Sequence, residues 1–160
     1  MDYIKLLNKG LKEGYAGGTV KKGVNRGGFK LDSSHFESGS GIYHDEWMAG
    51  RVGGGQEIVE VEGKVFTRVY AGGNISETKL KKLKISGKDV IGFLKKQMVE
   101  NSDSIRLLKD ILPDPDGDWQ YKYEIIDSEG DIPVTTGKES IFYKNELVFV
   151  HILILSPVEI

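Results

Sequence analysis

The chain has 160 residues, 39% hydrophobic and 29% charged, with a formal net charge of −2 and no cysteine. That length supports one domain with a real core, and the near-neutral balance gives no overall field to draw in nucleic acid or an anionic membrane. The absence of cysteine excludes disulfides, thiolate catalysis and cysteine-ligated metal sites.

No basic n-region or apolar h-region follows Met1, so a cytoplasmic location without a signal peptide is expected. Residues 2–13 place Ile4, Leu7 and Leu11 on one helical face and predict an amphipathic helix ending at Gly14. Residues 15–31, rich in glycine and lysine, read as a loop, with room for a short edge strand at 18–20. From Ser40 the period changes to two. Gly41, Tyr43, Asp45 and Trp47 share one strand face, and Ile42, His44, Glu46 and Met48 the other. Residues 50–55 read as a flexible link. Residues 57–61 and 64–70 then form a hairpin about Glu62-Gly63.

Lys79 to Lys84 is a basic stretch, read as a solvated face because interleaved aromatics and a net basic domain are missing. Ser86-Gly-Lys-Asp89 has the form of a capping box, and Val90, Ile91, Leu94 and Met98 continue it as a helical stripe. Ser102 or Asp103 is placed to cap a further helix through Leu112. Pro113 to Gly117 is a turn, and 119–126 alternates as a strand. Residues 140–143 and 146–155 form a second hairpin about Lys144-Asn145.

The two hairpins share a pattern. Gly55-x-Glu57-x-Val59-x-x-x-Gly63-x-Val65 returns as Gly137-x-Glu139-x-Ile141-x-x-x-Asn145-x-Leu147 at a constant offset of 82. The expectation is a single α+β domain over 1–160 with an internal pseudo-repeat, about 1–75 and 84–160. In it, duplicated helix-plus-antiparallel-strand units form one curved or barrel-like sheet with helices packed on it.

Several motifs read as plain structure. Asp114-x-Asp116-Gly-Asp118 puts its glycine fourth and Ile125 twelfth, against the sixth-position glycine and twelfth-position Glu of a calcium loop. Gly50-Arg-Val-Gly-Gly-Gly55 lacks the Lys-Ser/Thr of a phosphate loop and leads into a strand, not a helix N-terminus. His35, His44 and His151 form no metal-ligand spacing, so no metal and no cofactor is assigned. Ser33-Ser34-His35 carries no nucleophile elbow.

The most suggestive set is Tyr43, Asp45, Trp47, Glu57 and Tyr70, an acidic group among aromatics on one sheet face. Such a set makes a pocket for a small cation-bearing or hydroxylated ligand, and burial there would raise a carboxylate's pKa enough for Asp45 or Glu57 to act as a general acid or base. Against this, Glu57 and Glu139 recur at equivalent positions, which suits carboxylates that satisfy backbone amides.

Four segments carry a resemblance: Tyr15-Ala16-Gly17-Gly18, Gly41-Ile-Tyr43-His-Asp45-x-Trp47-x-x-Gly50, Gly55-x-Glu57-x-Val59, and Val69-Tyr70-x-Gly72. Together they resemble a conserved domain of unknown function. It occurs alone in bacteria and archaea, or behind a helix-turn-helix in proteins read as transcriptional regulators. The resemblance implies an effector-sensing role and carries no established activity or catalytic residues. With the first helix starting at Asp2, the domain is expected to stand alone here, without nucleic-acid binding of its own.

The leading expectation is a small-molecule-binding module whose site is Tyr15, Tyr43, Asp45, Trp47, Glu57 and Tyr70, with Tyr15 as a lid on the glycine-rich loop. The alternatives are an enzyme using Asp45 or Glu57, and a homodimer formed by edge pairing of the apolar last strand.

Overall fold

A computed structural model describes residues 3–17, 22–39, 41–102, 106 and 109–158. Helix α1 (Tyr3–Gly10) runs on as a π-helical turn (Leu11–Ala16). Five strands follow: β1 (Lys22–Arg26), β2 (Phe29–Ser38), β3 (Gly41–Met48), β4 (Val52–Val61) and β5 (Lys64–Asn74). Helices α2 (Glu77–Lys82) and α3 (Gly87–Glu100) then lead to β6 (Trp119–Glu129), β7 (Val134–Tyr143) and β8 (Glu146–Val158).

The eight strands make one antiparallel sheet in the order β1-β2-β3-β4-β5-β8-β7-β6. After β5 the chain passes through α2 and α3, starts again at the far edge, and meanders inward until β8 pairs with β5. The α+β expectation holds in this coarse form. The barrel-like closure does not: β1 and β6 end the sheet without pairing to each other, so it is open.

Three hairpins turn on residues of positive φ, at Gly27-Gly28, Glu62-Gly63 and Lys144-Asn145. Two successive positive-φ residues give the turn whose twist matches the strands it joins. The last two hairpins lie where the sequence places them. The first corrects the loop read over residues 15–31, because β1 and β2 pair from Lys22↔Ser33 to Arg26↔Phe29. The strand expected at 18–20 lies outside the described residues. Residues 50–55 are not a link either. Strand β4 starts at Val52, and its glycines pair with β5, Gly53↔Gly72 and Gly55↔Tyr70. Instead of a helix through Leu112, Ile111 bridges to Tyr123 and Leu112 is exposed. Ser102 sits in a turn, and Asp103 lies outside the described residues.

Alternation assigns the faces. Ile42, Ile58, Val69, Ile152 and Ile154 point to the exposed side, while Tyr43, Val59, Leu153 and Leu155 are buried on the other. That inner face carries the helices. Leu6 and Leu7 of α1 pack with Tyr43, Val59, Val61 and Leu155. Val90, Phe93, Leu94 and Met98 of α3 pack with Tyr121, Tyr123, Ile141, Phe149 and Leu153. Each such side chain, fully buried, contributes about 1.5–3 kcal/mol. The helix can lie this close because Gly10 rests on the Tyr43 ring, where a Cβ would overlap it. The predicted capping box is present: the Ser86 hydroxyl accepts from Asp89 N–H, and the Asp89 carboxylate accepts from Ser86 N–H.

Strand β8 lies between β5 and β7 and is paired on both sides from Phe149 to Leu155, so this stretch offers no edge to a second copy. This overturns edge pairing through that strand. No described helix is long and apolar enough to cross a membrane.

Candidate functional site

Register alone brings charge together on the inner face. Glu57 on β4 faces Asp45 on β3 to one side and Arg68 on β5 to the other. Glu57 is 0% exposed and Arg68 1%. Arg68 donates through Nε to Glu57 Oε2 and through Nη2 to Oε1 at 2.8 Å, and the Tyr43 hydroxyl donates to Oε1 at 2.8 Å. A buried carboxylate is costly unless paired and hydrogen-bonded. Burial pushes the Glu57 carboxyl up, but the Arg68 guanidinium and these bonds outweigh it and hold the pKa below the ordinary value.

The second glutamate repeats the chemistry with different parts. Glu139 on β7 is also 0% exposed. Arg106, 3% exposed, donates through Nε to Oε1 at 2.9 Å and through Nη2 to Oε2 at 2.6 Å. Tyr121 donates to Oε1 at 2.8 Å. His151 faces Glu139 from β8, with Nδ1 3.4 Å from Oε2 and 3.2 Å from Arg106 Nη2. Burial again works against ionisation, and Arg106 and His151 more than offset it, so Glu139 stays well below the usual carboxylate range. Arg68 Nη1 donates to the Arg106 carbonyl at 2.9 Å and ties the clusters together. Both glutamates therefore bind arginine and tyrosine side chains, and the expectation that they satisfy backbone amides is corrected.

Asp45 differs. Its cross-strand neighbours are Ser34 and Glu57, neither of them a cation. It is 1% exposed and accepts a bond from the Tyr70 hydroxyl at 3.1 Å. Burial, reinforced by the Glu57 charge, pushes its pKa up to about 8 against the smaller opposing pull of Tyr70, Arg106 and Arg68. At neutral pH Asp45 is mainly a carboxylic acid, able to donate as well as accept. Burial, and then the Asp45 charge, pushes the Tyr70 hydroxyl far up, so Tyr70 stays a phenol.

Asp45 and Tyr70 open onto a cavity of about 230 Å³ between the inner face, the π-helical turn and α3. Leu11, Trp47, Ile91 and Phe149 supply an apolar wall, and Tyr15, Arg51, Asn74, Arg106 and His151 supply polar groups. Arg51, at the turn between β3 and β4, donates to the Asn74 carbonyl at 2.7 Å. The Tyr15 ring meets Trp47 edge-on at 5.6 Å. Gly72 and Gly73 line the cavity at φ 148 and 150, a backbone conformation in which side chains are poorly tolerated.

Of the six residues predicted, Tyr15, Asp45, Trp47 and Tyr70 line the cavity. Tyr43 and Glu57 do not: they lie fully buried beside it and fasten the sheet. Tyr15 sits on the helix, which continues as a π turn to Ala16, and not on a loop as expected. Single-turn π segments often occur at functional sites. Arg51, Asn74, Arg106, Phe149 and His151 were not anticipated. Arg68 opposite Glu57 follows from a two-residue turn at 62–63, so that cation was within reach of the sequence. Arg106 enters from outside any strand, with φ 54, and no periodicity announces it.

Chemically, the cavity offers a neutral acid, two phenols, an imidazole, two guanidinium groups and an aromatic wall. Among the described residues, no group of three or more His, Asp or Glu is placed to hold a metal ion. No family model matches the chain, and neither a curated protein nor a solved structure does.

Proposed function

We propose that this protein is a small-molecule-binding module of the sensor type, with the ligand held in the cavity beside Asp45. One observation carries the reading: a half-open cavity combines an apolar wall, from Trp47, Phe149, Leu11 and Ile91, with convergent polar groups. That combination typifies ligand sites, and a volume of about 230 Å³ suits a ligand smaller than those of the roughly 300–1,000 Å³ sites taken by drug-sized molecules. The resemblance to a domain that accompanies DNA-binding segments supports the sensing role.

The test is thermal stability against a panel of small metabolites. A ligand at a hundred times its Kd adds about 2.7 kcal/mol, several degrees of Tm at this size. Ile91→Trp, which fills the cavity from α3, should remain folded and lose the shift. A flat panel with a cooperative melt would count against the reading.

A second reading is favoured by Asp45 itself. A carboxyl near pKa 8 lining a cavity is suited to general acid–base catalysis. Turnover that follows ionisation of Asp45, and is lost in Asp45→Asn while ligand binding persists, would establish it. Glu57, clamped by Arg68 and Tyr43 and absent from the cavity wall, is poorly placed for that role.

We also read the two hairpin units as products of duplication. The support is that each buries its glutamate with one arginine and one tyrosine. The units differ in strand number, five before α2 and three after α3.

A further inference from the structure

The charges around the cavity do not cancel. Among the described residues that line it, Asp45 is the one carboxylate, against two arginines. The Arg106 guanidinium is already matched by Glu139 in a two-point pair beneath the wall. Arg51 is not matched. Its hydrogen bond goes to the neutral Asn74 carbonyl, and no carboxylate pairs with it among the described residues. Burial keeps Asp45 protonated at neutral pH, so it adds no negative charge and can donate. The site is thus one positive charge in excess, at the mouth of a cavity whose wall is aromatic and aliphatic.

We propose that the cavity takes a small organic anion, an apolar or aromatic carboxylate, with its acid group on Arg51 and its body against Trp47 and Phe149. This rests on the binding reading above and puts an anion where the sequence suggests a small cation-bearing or hydroxylated ligand. A planar guanidinium fork matches a carboxylate in two parallel hydrogen bonds. A single unmatched cation calls for a single negative charge. A phosphate is less well served, because the glycine stretch 50–55 runs into β4 and presents no helix N-terminus to it. The carboxylic acid of Asp45 lines the same cavity and can donate to a substituent on the ring.

The experiment is calorimetric titration of the whole chain with three probes of one shape: benzoate, benzamide and benzylamine. At pH 6.5 benzoate should bind at least about tenfold more tightly than the other two, the usual gain from a charge-assisted hydrogen bond. Arg51→Gln should remove that preference, and Arg51→Lys should restore part of it, which a merely structural role would not do. Wild-type affinity for benzoate should fall as pH rises past 8, when Asp45 ionises, and Asp45→Asn, whatever its affinity at pH 6.5, should lose that fall. Benzamide or benzylamine binding as well as benzoate would overturn the anion assignment while leaving a working site. Failure of all three overturns it too, and only a flat metabolite panel besides would remove the binding reading itself.

Discussion

Asp45 and Glu57 sit directly opposite each other on neighbouring strands, equally buried, and end in different chemical states. Glu57 has Arg68 on its far side and is ionised. Asp45 has Ser34 on its far side and holds a proton to about pH 8. The difference is one cross-strand neighbour. It teaches that a buried carboxylate's role is set by what the register places beside it: an arginine makes it a fastener, and the lack of one leaves it reactive at a cavity wall. Glu139 belongs with Glu57 in this respect, although its arginine arrives from outside the sheet.

The largest break in this comparison comes from removing an arginine. Arg68→Ala leaves Glu57 in the core without its ion-pair partner and should cost about 3–5 kcal/mol in a urea titration, and Arg106→Ala, which leaves Glu139 only His151, should fall toward the lower end of that range. A loss under about 1 kcal/mol would show that the pairs do not hold the sheet.

Asp45→Asn should act in the other direction, and only with pH. The folded-state pKa of Asp45 is raised, so its contribution to stability is complete below its ordinary value and is lost as pH climbs toward 8. Wild-type stability should decline between pH 5 and 8 and the variant's should not, a divergence of up to about 4 kcal/mol at about 1.4 kcal/mol per pKa unit. The lowered carboxyls of Glu57 and Glu139 have the opposite sign, and their contributions are lost only as pH falls below the ordinary glutamate value. Parallel curves for the two proteins would contradict the assignment.

The tyrosines give smaller effects. Tyr43→Phe removes a bond to an ionised acceptor and should cost about 1.5–3 kcal/mol at pH 7. Tyr70→Phe removes one to a neutral acid and should cost about 0.5–1.5 kcal/mol. Because the Tyr70 bond lowers the Asp45 pKa, Tyr70→Phe should also extend the pH-dependent decline to higher pH, with its onset unchanged. Equal costs for the two would mean that the two carboxyls share one state.

Much of this was legible in the residues. Strict alternation from Gly41 to Met48 identifies the face of Tyr43, Asp45 and Trp47, and two-residue turns at 62–63 and 144–145 set the hairpin registers. The β1–β2 hairpin was hidden because glycine, lysine and serine in that stretch carry no apolar period. The cavity was half visible. Asp45 and Trp47 on β3 and Tyr70 on β5 flank β4 in one local unit, whereas Phe149 and His151 join them only once β8 pairs with β5. That pairing spans the whole helical insert and has no local signal. Nor do carboxylates announce which of them has a cation: Arg68 lies within one hairpin of Glu57, but Arg106 is 33 residues from Glu139.

The most direct test is a carboxyl-carbon NMR titration of the wild-type chain, with Asp45→Asn used to assign the Asp45 resonance. The account predicts one aspartate that titrates near pH 8 and disappears in the variant. An Asp45 midpoint near the ordinary aspartate value of about 4 would contradict it, and would make Asp45 as fully ionised at neutral pH as the glutamate opposite.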